Sequence, residues 1–259
     1  MENCTVNNLF LKRRHGIPMT ETQNLNLIKE YGIEGDVNAH GMSPRQILIA
    51  NYEYLVEKSI SPGDLRENVV IKNVNLKQFK PGAIVEFSGG VQIRLTFYCE
   101  PCKRILHLVD SLKSIEKKRG ILGVVIKEGK INLGDSAIII PNCFAPLPEK
   151  PYERFIDFLA KVPSGKVVSY KQIVKGIGVA ESYFRAIPTY IKKTSGDYPI
   201  HRILDSKGYL IPQHIKQQKI LLESEGIKVI ENQDLFGNSV QLSVSMDEYS
   251  WKDSSLYLK

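Results

Sequence analysis

Two hydrophobic periods divide the chain. In its first half, short apolar runs occur at 69–74, 83–87, 91–97 and 137–140. These runs are rich in β-branched residues and bounded by Gly, Pro or Asn, so the pattern predicts strands. The segment from Ser43 to Ala50 leads into a predicted helix near Asn51 to Lys58. Residues 105–118 form an amphipathic stretch in which Leu106, Val109, Leu112 and Ile115 recur every three positions. Many strands with few helices predict a β-barrel-like unit.

After about residue 150 the period lengthens. Phe155, Phe158 and Leu159 mark one helical face, and Tyr170, Ile173 and Val174 a second. Tyr183, Ile187 and Tyr190 mark a third, and 215–223 a fourth. A turn around Asp205 to Gly208 predicts a hairpin, so the second half reads as a mainly α, winged helix-turn-helix unit. Four prolines between Pro141 and Pro151 can continue neither a helix nor a central strand. The expected division is therefore 1–142, a linker at 143–150, 151–230, and a tail at 231–259. The alternation Val240-Gln-Leu-Ser-Val predicts extra strands in that tail.

Charge sharpens this division. The net charge of +7 is unevenly spread: from Glu149 to Ile220 there are 13 Lys/Arg against 6 Asp/Glu, and beyond that 3 against 7. A basic excess over a winged helix-turn-helix suits phosphate contacts, so DNA is the expected partner, with RNA also admissible. No apolar run reaches the roughly 20 residues a bilayer span needs, and the N-terminus lacks the basic-then-apolar order of a signal peptide. A cytoplasmic protein without membrane contact is expected. In that compartment Cys4, Cys99, Cys102 and Cys143 are expected as thiols. Cys99 and Cys102 form a single CxxC, and with no second pair no zinc site is expected.

Three ordered signatures in the first half resemble the MOSC family, named after the molybdenum-cofactor sulfurase C-terminal domain. They are Gly32 to Asp36 with Ala39-His40-Gly41 and Pro44-Arg45-Gln46; Pro62 to Asn68 leading to Pro81-Gly82; and Pro101-Cys102 followed by Arg119-Gly120 and Gly134-Asp135. The resemblance implies a β-barrel with Cys102 as its functional centre, either ligating molybdenum in the molybdenum cofactor or carrying sulfur. It also implies that Arg45, Arg66 and Asn68 line the cofactor pocket. Sulfur is a soft ligand suited to molybdenum, and the neighbouring Lys103 and Arg104 favour a thiolate. An arginine suits a terminal phosphate through paired hydrogen bonds.

The second half resembles the DNA-binding domain of the O6-alkylguanine-DNA alkyltransferases and alkyltransferase-like proteins. The resemblance is carried by Ser169-Tyr170, Phe184-Arg185-Ala186, Pro199-Ile200-His201-Arg202 and Ser224-Glu225-Gly226. It implies that Tyr170, Arg185, Ile200, His201 and Arg202 meet nucleic acid. Arg185 would fill the gap left by a flipped base. In the transferases the position of Ile200 holds the nucleophilic cysteine. A sec-butyl group has no nucleophilic atom, so alkyl transfer onto this position is chemically closed.

Together these readings predict a nucleic-acid-binding protein acting on modified or damaged bases. Its Cys102 chemistry would be a molybdenum-cofactor reduction, for instance of N-hydroxylated bases. Two alternatives stand beside it: a non-enzymatic sensor of alkylated DNA, and a sulfur carrier with a Cys102 persulfide. A redox or sulfur-donor protein is the further partner these chemistries imply.

Overall fold

Strand-forming runs in the first half close on themselves in the computed structural model, which describes residues 3–233 and 240–257. The strands are β1 (Cys4–Leu11), β2 (Thr20–Glu21), β3 (Asn24–Ile28), β4 (Gly32–Ile33), β5 (Ile47–Asn51), β6 (Val69–Lys72), β7 (Ile84–Phe87), β8 (Gln92–Tyr98), β9 (Ile121–Lys127), β10 (Gly129–Asn132) and β11 (Ser136–Ile140). Hydrogen bonding runs in the order β11-β7-β8-β9-β5-β6-β1, and β1 returns to β11 with Cys4 opposite Ala137. That last pairing makes the sheet a barrel and removes its open edges. Within it β5 and β6 run parallel, whereas β8 pairs antiparallel with both β7 and β9. A three-stranded sheet, β10-β3-β4, is hydrogen-bonded separately, and its Leu25, Leu27, Ile33 and Ile131 pack into the same core. Alternate residues such as Val85, Phe87, Ile93 and Leu95 fill the barrel interior.

A second apolar cluster lies outside the barrel and includes Phe10, Leu55, Ile60, Leu65, Ile105 and Ile115. Helix α1 (Tyr52–Glu57) contributes Leu55 and is capped by Asn51, whose Oδ1 accepts from the Tyr54 amide at 2.8 Å. The 105–118 segment is not one amphipathic helix. It folds as two 3₁₀ turns, Lys103–Leu108 and Leu112–Ile115, parted by extended Val109 and Ser111. A recurrence of three is the 3₁₀ period, and such runs stay short because their hydrogen bonds are poorer. Ile105 and Ile115 are the buried anchors, while Leu106 is exposed.

The proline-rich stretch is bound to the barrel wall. The Phe144 amide donates to the Gly82 carbonyl, and the Leu147 amide to that of Thr96. Arg94 donates to the Ala145 carbonyl, and its guanidinium lies 4.3 Å from the centre of the Phe144 ring. A Cβ at Gly82 would collide with the Phe144 carbonyl oxygen, so this contact requires glycine.

Two compact units result. The first holds the described residues up to Glu149 and again from Ser254, and the second runs from Lys150 to Asp253. The second contains α2 (Pro151–Ala160), β12 (Val168–Ser169), α3 (Tyr170–Gly176), α4 (Ile187–Lys193), β13 (Ile203–Leu204), α5 (Gln218–Ser224), β14 (Val229–Gln233), β15 (Val240–Val244) and α6 (Met246–Tyr249). Of the expected helical faces, Phe155, Phe158, Leu159, Ile173, Val174 and Ile187 are buried, while the third is divided between a 3₁₀ turn holding Tyr183 and α4 holding Ile187 and Tyr190. Arg154 is buried among them and donates from Nε to the Ile177 carbonyl at 2.8 Å. At the wing turn, Asp205 Oδ1 accepts from the amides of Lys207 and Tyr209.

The tail does not stand alone. β14 and β15 pair antiparallel, and Val244 joins the apolar cluster of Val167, Leu204, Leu222 and Ile227. Trp251 packs on Phe158 with ring centres 5.4 Å apart. The chain end returns to the first unit, where Arg94 donates to the Tyr257 carbonyl.

Candidate functional site

The end of β8 delivers Cys99, Glu100, Pro101 and Cys102 in an extended run, and Cys102 heads the first 3₁₀ turn. Two buried or half-buried guanidiniums grip this run. Arg119, which follows the second 3₁₀ turn, donates from Nη1 to Cys102 Sγ at 3.4 Å and to the Glu100 carbonyl at 2.7 Å. Its Nη2 donates to the Leu65 carbonyl at 3.2 Å. Arg45 pairs through Nη1 with Glu100 Oε2 at 2.7 Å and approaches Cys99 Sγ at 3.8 Å. Burial works against the Arg45 charge, but Cys99, Glu100 and Cys102 together hold its pKa above the usual value. Cys102 is half-exposed and Cys99 buried, so of these two sulfurs Cys102 is the accessible one.

Behind the thiol lies an accumulation of cations. Lys12, the residue after β1, is buried, and burial lowers its pKa, with further lowering by Arg66, Arg104 and Arg119 and an opposing pull from Asp36. Arg66 adopts φ 65°, an uncommon left-handed conformation for a non-glycine residue, in the loop after Gly63. A Cβ at Gly63, itself at φ 94°, would come within 2.9 Å of the Phe10 ring. The same loop supplies Glu67, which is fully buried and accepts from the Gly63 amide at 2.6 Å through Oε1. Its Oε2 and Arg119 Nε find no hydrogen-bond partner among the described residues. Burial raises the Glu67 carboxyl to about 7, against the pull of the Gly63 amide and Arg119.

Of the expected pocket residues, Arg45 and Cys102 share the two-arginine grip and Arg66 belongs to the cation group. Asn68 plays a different part. Its Oδ1 accepts from the Leu48 amide, and its Nδ2 donates to the Phe10 carbonyl and to Asp36 Oδ2. It ties strands together with Asp36, which also accepts from the Lys12 amide. The expected cationic neighbours Lys103 and Arg104 are exposed, and the cation touching the sulfur is Arg119. Arg119 stood in the third signature without a role, and Lys12 carried no signal at all. The Arg119–Cys102 contact, and the nearness of Lys12 to Arg119, are properties of barrel closure and 3₁₀ geometry, not of spacing. Among the described residues no three His, Cys, Asp or Glu side chains could together hold a metal ion.

In the second unit the Pro199–Arg202 turn is pinned from below. Arg202 embraces Glu225, with Nε to Oε2 at 2.9 Å and Nη2 to Oε1 at 2.6 Å, and donates from Nη1 to the Val162 carbonyl. His201 Nε2 lies 2.8 Å from Glu225 Oε1, and the Gly165 amide donates to Oε2. Burial alone would raise Glu225, but hydrogen bonds from Arg202, His201 and Gly165 hold it at about 2. Gln218, which no motif marked, donates to the His201 and Ile203 carbonyls and accepts from the Ile211 amide. His201 and Arg202 thus shape the turn, and half-exposed Ile200 is carried on it.

Tyr170 opens α3 after Ser169, which forms a reciprocal capping box with Gln172. Parallel pairing of β12 with β13 sets Ser169 beside Leu204, so Tyr170 lies toward Asp205. Burial, with Asp205 adding to it, raises the Tyr170 hydroxyl to about 12, so it stays a hydrogen-bond donor at neutral pH. Arg185 ends the 3₁₀ turn Glu181–Arg185, is exposed, and makes no ion pair among the described residues.

Family comparison agrees with these two geometries. Residues 37–137 match the MOSC domain model, and residues 150–227 match the model described as 6-O-methylguanine DNA methyltransferase, DNA binding domain. The chain joins a MOSC domain to an alkyltransferase-type DNA-binding domain. The latter is similar to Alkyltransferase-like protein 1 of Schizosaccharomyces pombe, 27% identical over 107 residues, 39% of this chain and 94% of that protein. Among solved structures, S. pombe Atl1 in complex with damaged DNA containing O6-carboxymethylguanine is 27% identical, with a TM-score of 0.35 over 40% of this chain and 97% of that one. The YUAD protein of Bacillus subtilis is 18% identical, with a TM-score of 0.47 over 53% of this chain and 95% of its own. No helix among the described residues is long and apolar enough to cross a membrane.

Proposed function

We propose that this protein binds DNA through its alkyltransferase-type domain and acts on a modified or damaged base with chemistry centred on Cys102. The observation that carries the reading is the accessible Cys102 sulfur, held by Arg119 beside the cations Lys12, Arg66 and Arg104. Clustered cations with Asp36 as their counter-charge suit an anionic, phosphate-bearing ligand, and the accessible soft sulfur suits molybdenum. In a molybdenum-cofactor reading, Cys102 would ligate the metal while Lys12 and Arg66 hold the phosphate. The cofactor, when bound, supplies two-electron reduction. For an N-hydroxylated base this consumes two electrons and two protons and releases water, restoring the amine, with a redox partner protein as electron source.

The DNA-binding domain supplies recognition in this reading. Its solved relative binds DNA containing O6-carboxymethylguanine, which supports a damaged duplex as the substrate. Extracting a base costs a few kcal/mol of unstacking, least where pairing is already damaged. A second reading, a lesion sensor without chemistry, is favoured by one feature: His201 and Glu225 remain paired although Ile200 offers no nucleophile.

Elemental analysis and intact mass of protein purified from its own host separate the readings. Stoichiometric molybdenum supports reduction, a persulfide on Cys102 supports sulfur transfer, and neither, with tight lesion binding, supports the sensor. Cys102→Ser should abolish loading, whereas Cys4→Ser should leave it intact. Equal loading of wild type and Cys102→Ser would remove Cys102 from the centre of the scheme.

A further inference from the structure

The 3₁₀ segment that leaves Cys102 and returns at Arg119 has a second property. Residues 102–119 carry six Lys/Arg against only Asp110 and Glu116. Ile105 and Ile115 are its buried feet in the outer apolar cluster, and Ser111 caps the second turn. Between and around those feet Lys103, Arg104, Lys113 and Lys118 face solvent. Lys118 and Lys58 flank the half-buried Tyr54 ring, with Nζ 5.7 and 6.0 Å from its centre. The loop is therefore an exposed ridge of positive charge, and its two ends meet through the Arg119–Cys102 contact.

We infer that this ridge is a nucleic-acid-binding surface of the MOSC domain itself, contacting the phosphate backbone of DNA beside Cys102. Charge complementarity selects a polyanion, since four exposed cations on a short rigid segment match the closely spaced phosphates of a strand. The covalent link to a DNA-binding domain selects which polyanion. Tethering to a DNA-binding domain raises the effective concentration of DNA for this surface, so contacts that are weak on their own suffice. The inference rests on the proposed function only in taking the second unit to be the primary DNA-binding element. A strand held here would bring a base to the thiol, whereas a small-molecule substrate would need no exposed ridge.

The test uses the full chain and a fluorescein-labelled duplex across a salt series. The quadruple variant Lys103→Gln, Arg104→Gln, Lys113→Gln, Lys118→Gln should flatten the dependence of log K on log salt by about two to four, near 0.9 for each phosphate no longer neutralised. Affinity near physiological salt should fall about tenfold or more. DNA should also slow iodoacetamide labelling of Cys102 in the wild type and not in the variant. Because all four side chains are exposed, the fold is checked by circular dichroism. Should the combination fail to fold, Lys113→Gln and Lys118→Gln each carry the test at about one slope unit. An unchanged slope and unchanged labelling overturn the ridge while leaving the second unit's DNA binding standing. Absence of DNA binding by the wild type sinks both readings. If the variants no longer bind phosphatidylglycerol vesicles but keep the full DNA slope, the ridge serves a membrane and the inference is wrong.

Discussion

Glu67 in the first unit is fully buried and Glu225 in the second half-buried, and they meet opposite fates. Glu225 accepts from Arg202, His201 and Gly165 and sits at about 2. Glu67 accepts from Gly63, has no hydrogen bond to Oε2 among the described residues, and is raised to about 7. The units differ in the same sense. The alkyltransferase-type domain uses its buried and half-buried charges in pairing, as Arg154 and Arg202 do with backbone carbonyls. The MOSC domain gathers charges that are incompletely paired around a thiol. Pairing keeps Glu225 ionised, whereas burial with a single amide donor leaves Glu67 titrating at about 7.

The largest effect should come from breaking the paired carboxylate. Glu225→Ala leaves Arg202 and His201 unmatched and should cost about 3 kcal/mol or more. Trp251, the single tryptophan and part of this unit, reports it in denaturant unfolding. The folded pKa is depressed, so the wild-type contribution, on the order of 3 kcal/mol, is present above about pH 4.5 and disappears as pH falls toward 2. An unchanged denaturation midpoint in Glu225→Ala would erase the contrast between the units.

Glu67→Gln should act in the opposite direction and with the opposite pH dependence. A raised carboxyl means the folded state binds more protons than the unfolded chain between about pH 4.5 and 7, so this group lowers stability as pH rises through that window. The neutral amide keeps an acceptor for the Gly63 amide and removes the charge. Calorimetry should therefore find the variant about 2 to 3 kcal/mol more stable than wild type at pH 8 and little different at pH 4.5. Equal shifts at both pH values would mean that Glu67 is not a displaced acid.

The smallest effect sharpens the contrast within the second unit, where Arg185 is the exposed exception among paired arginines. If it occupies the gap left by an extracted base, Arg185→Ala should weaken binding to duplexes carrying a modified base by about 1 to 2 kcal/mol more than to plain duplexes. Lys175→Ala and Lys192→Ala should weaken both similarly. Fluorescence anisotropy on both duplexes at two salt concentrations separates these behaviours. Identical responses from all three variants would reduce Arg185 to a surface charge.

By itself the sequence determined the strand-rich and helix-rich halves, the thiol at Cys102 and the inert Ile200, because these depend on local period and on side-chain chemistry. It also carried the basic excess over the second unit, which composition alone records. The tertiary structure decided which charges meet. Arg119 lies seventeen residues from Cys102 and Lys12 ninety from it, and only barrel closure with the folded-back 3₁₀ segment gathers them. The role of Asn68 changed for the same reason: its amide is consumed by strands whose adjacency no linear pattern displays. A three-residue recurrence at 105–118 was compatible with either helix type, and burial of Ile105 and Ile115 selected the short turns. Periodicity is written along the chain, but burial, pairing and the resulting pKa displacements depend on long-range neighbours, which exist only once the chain has folded.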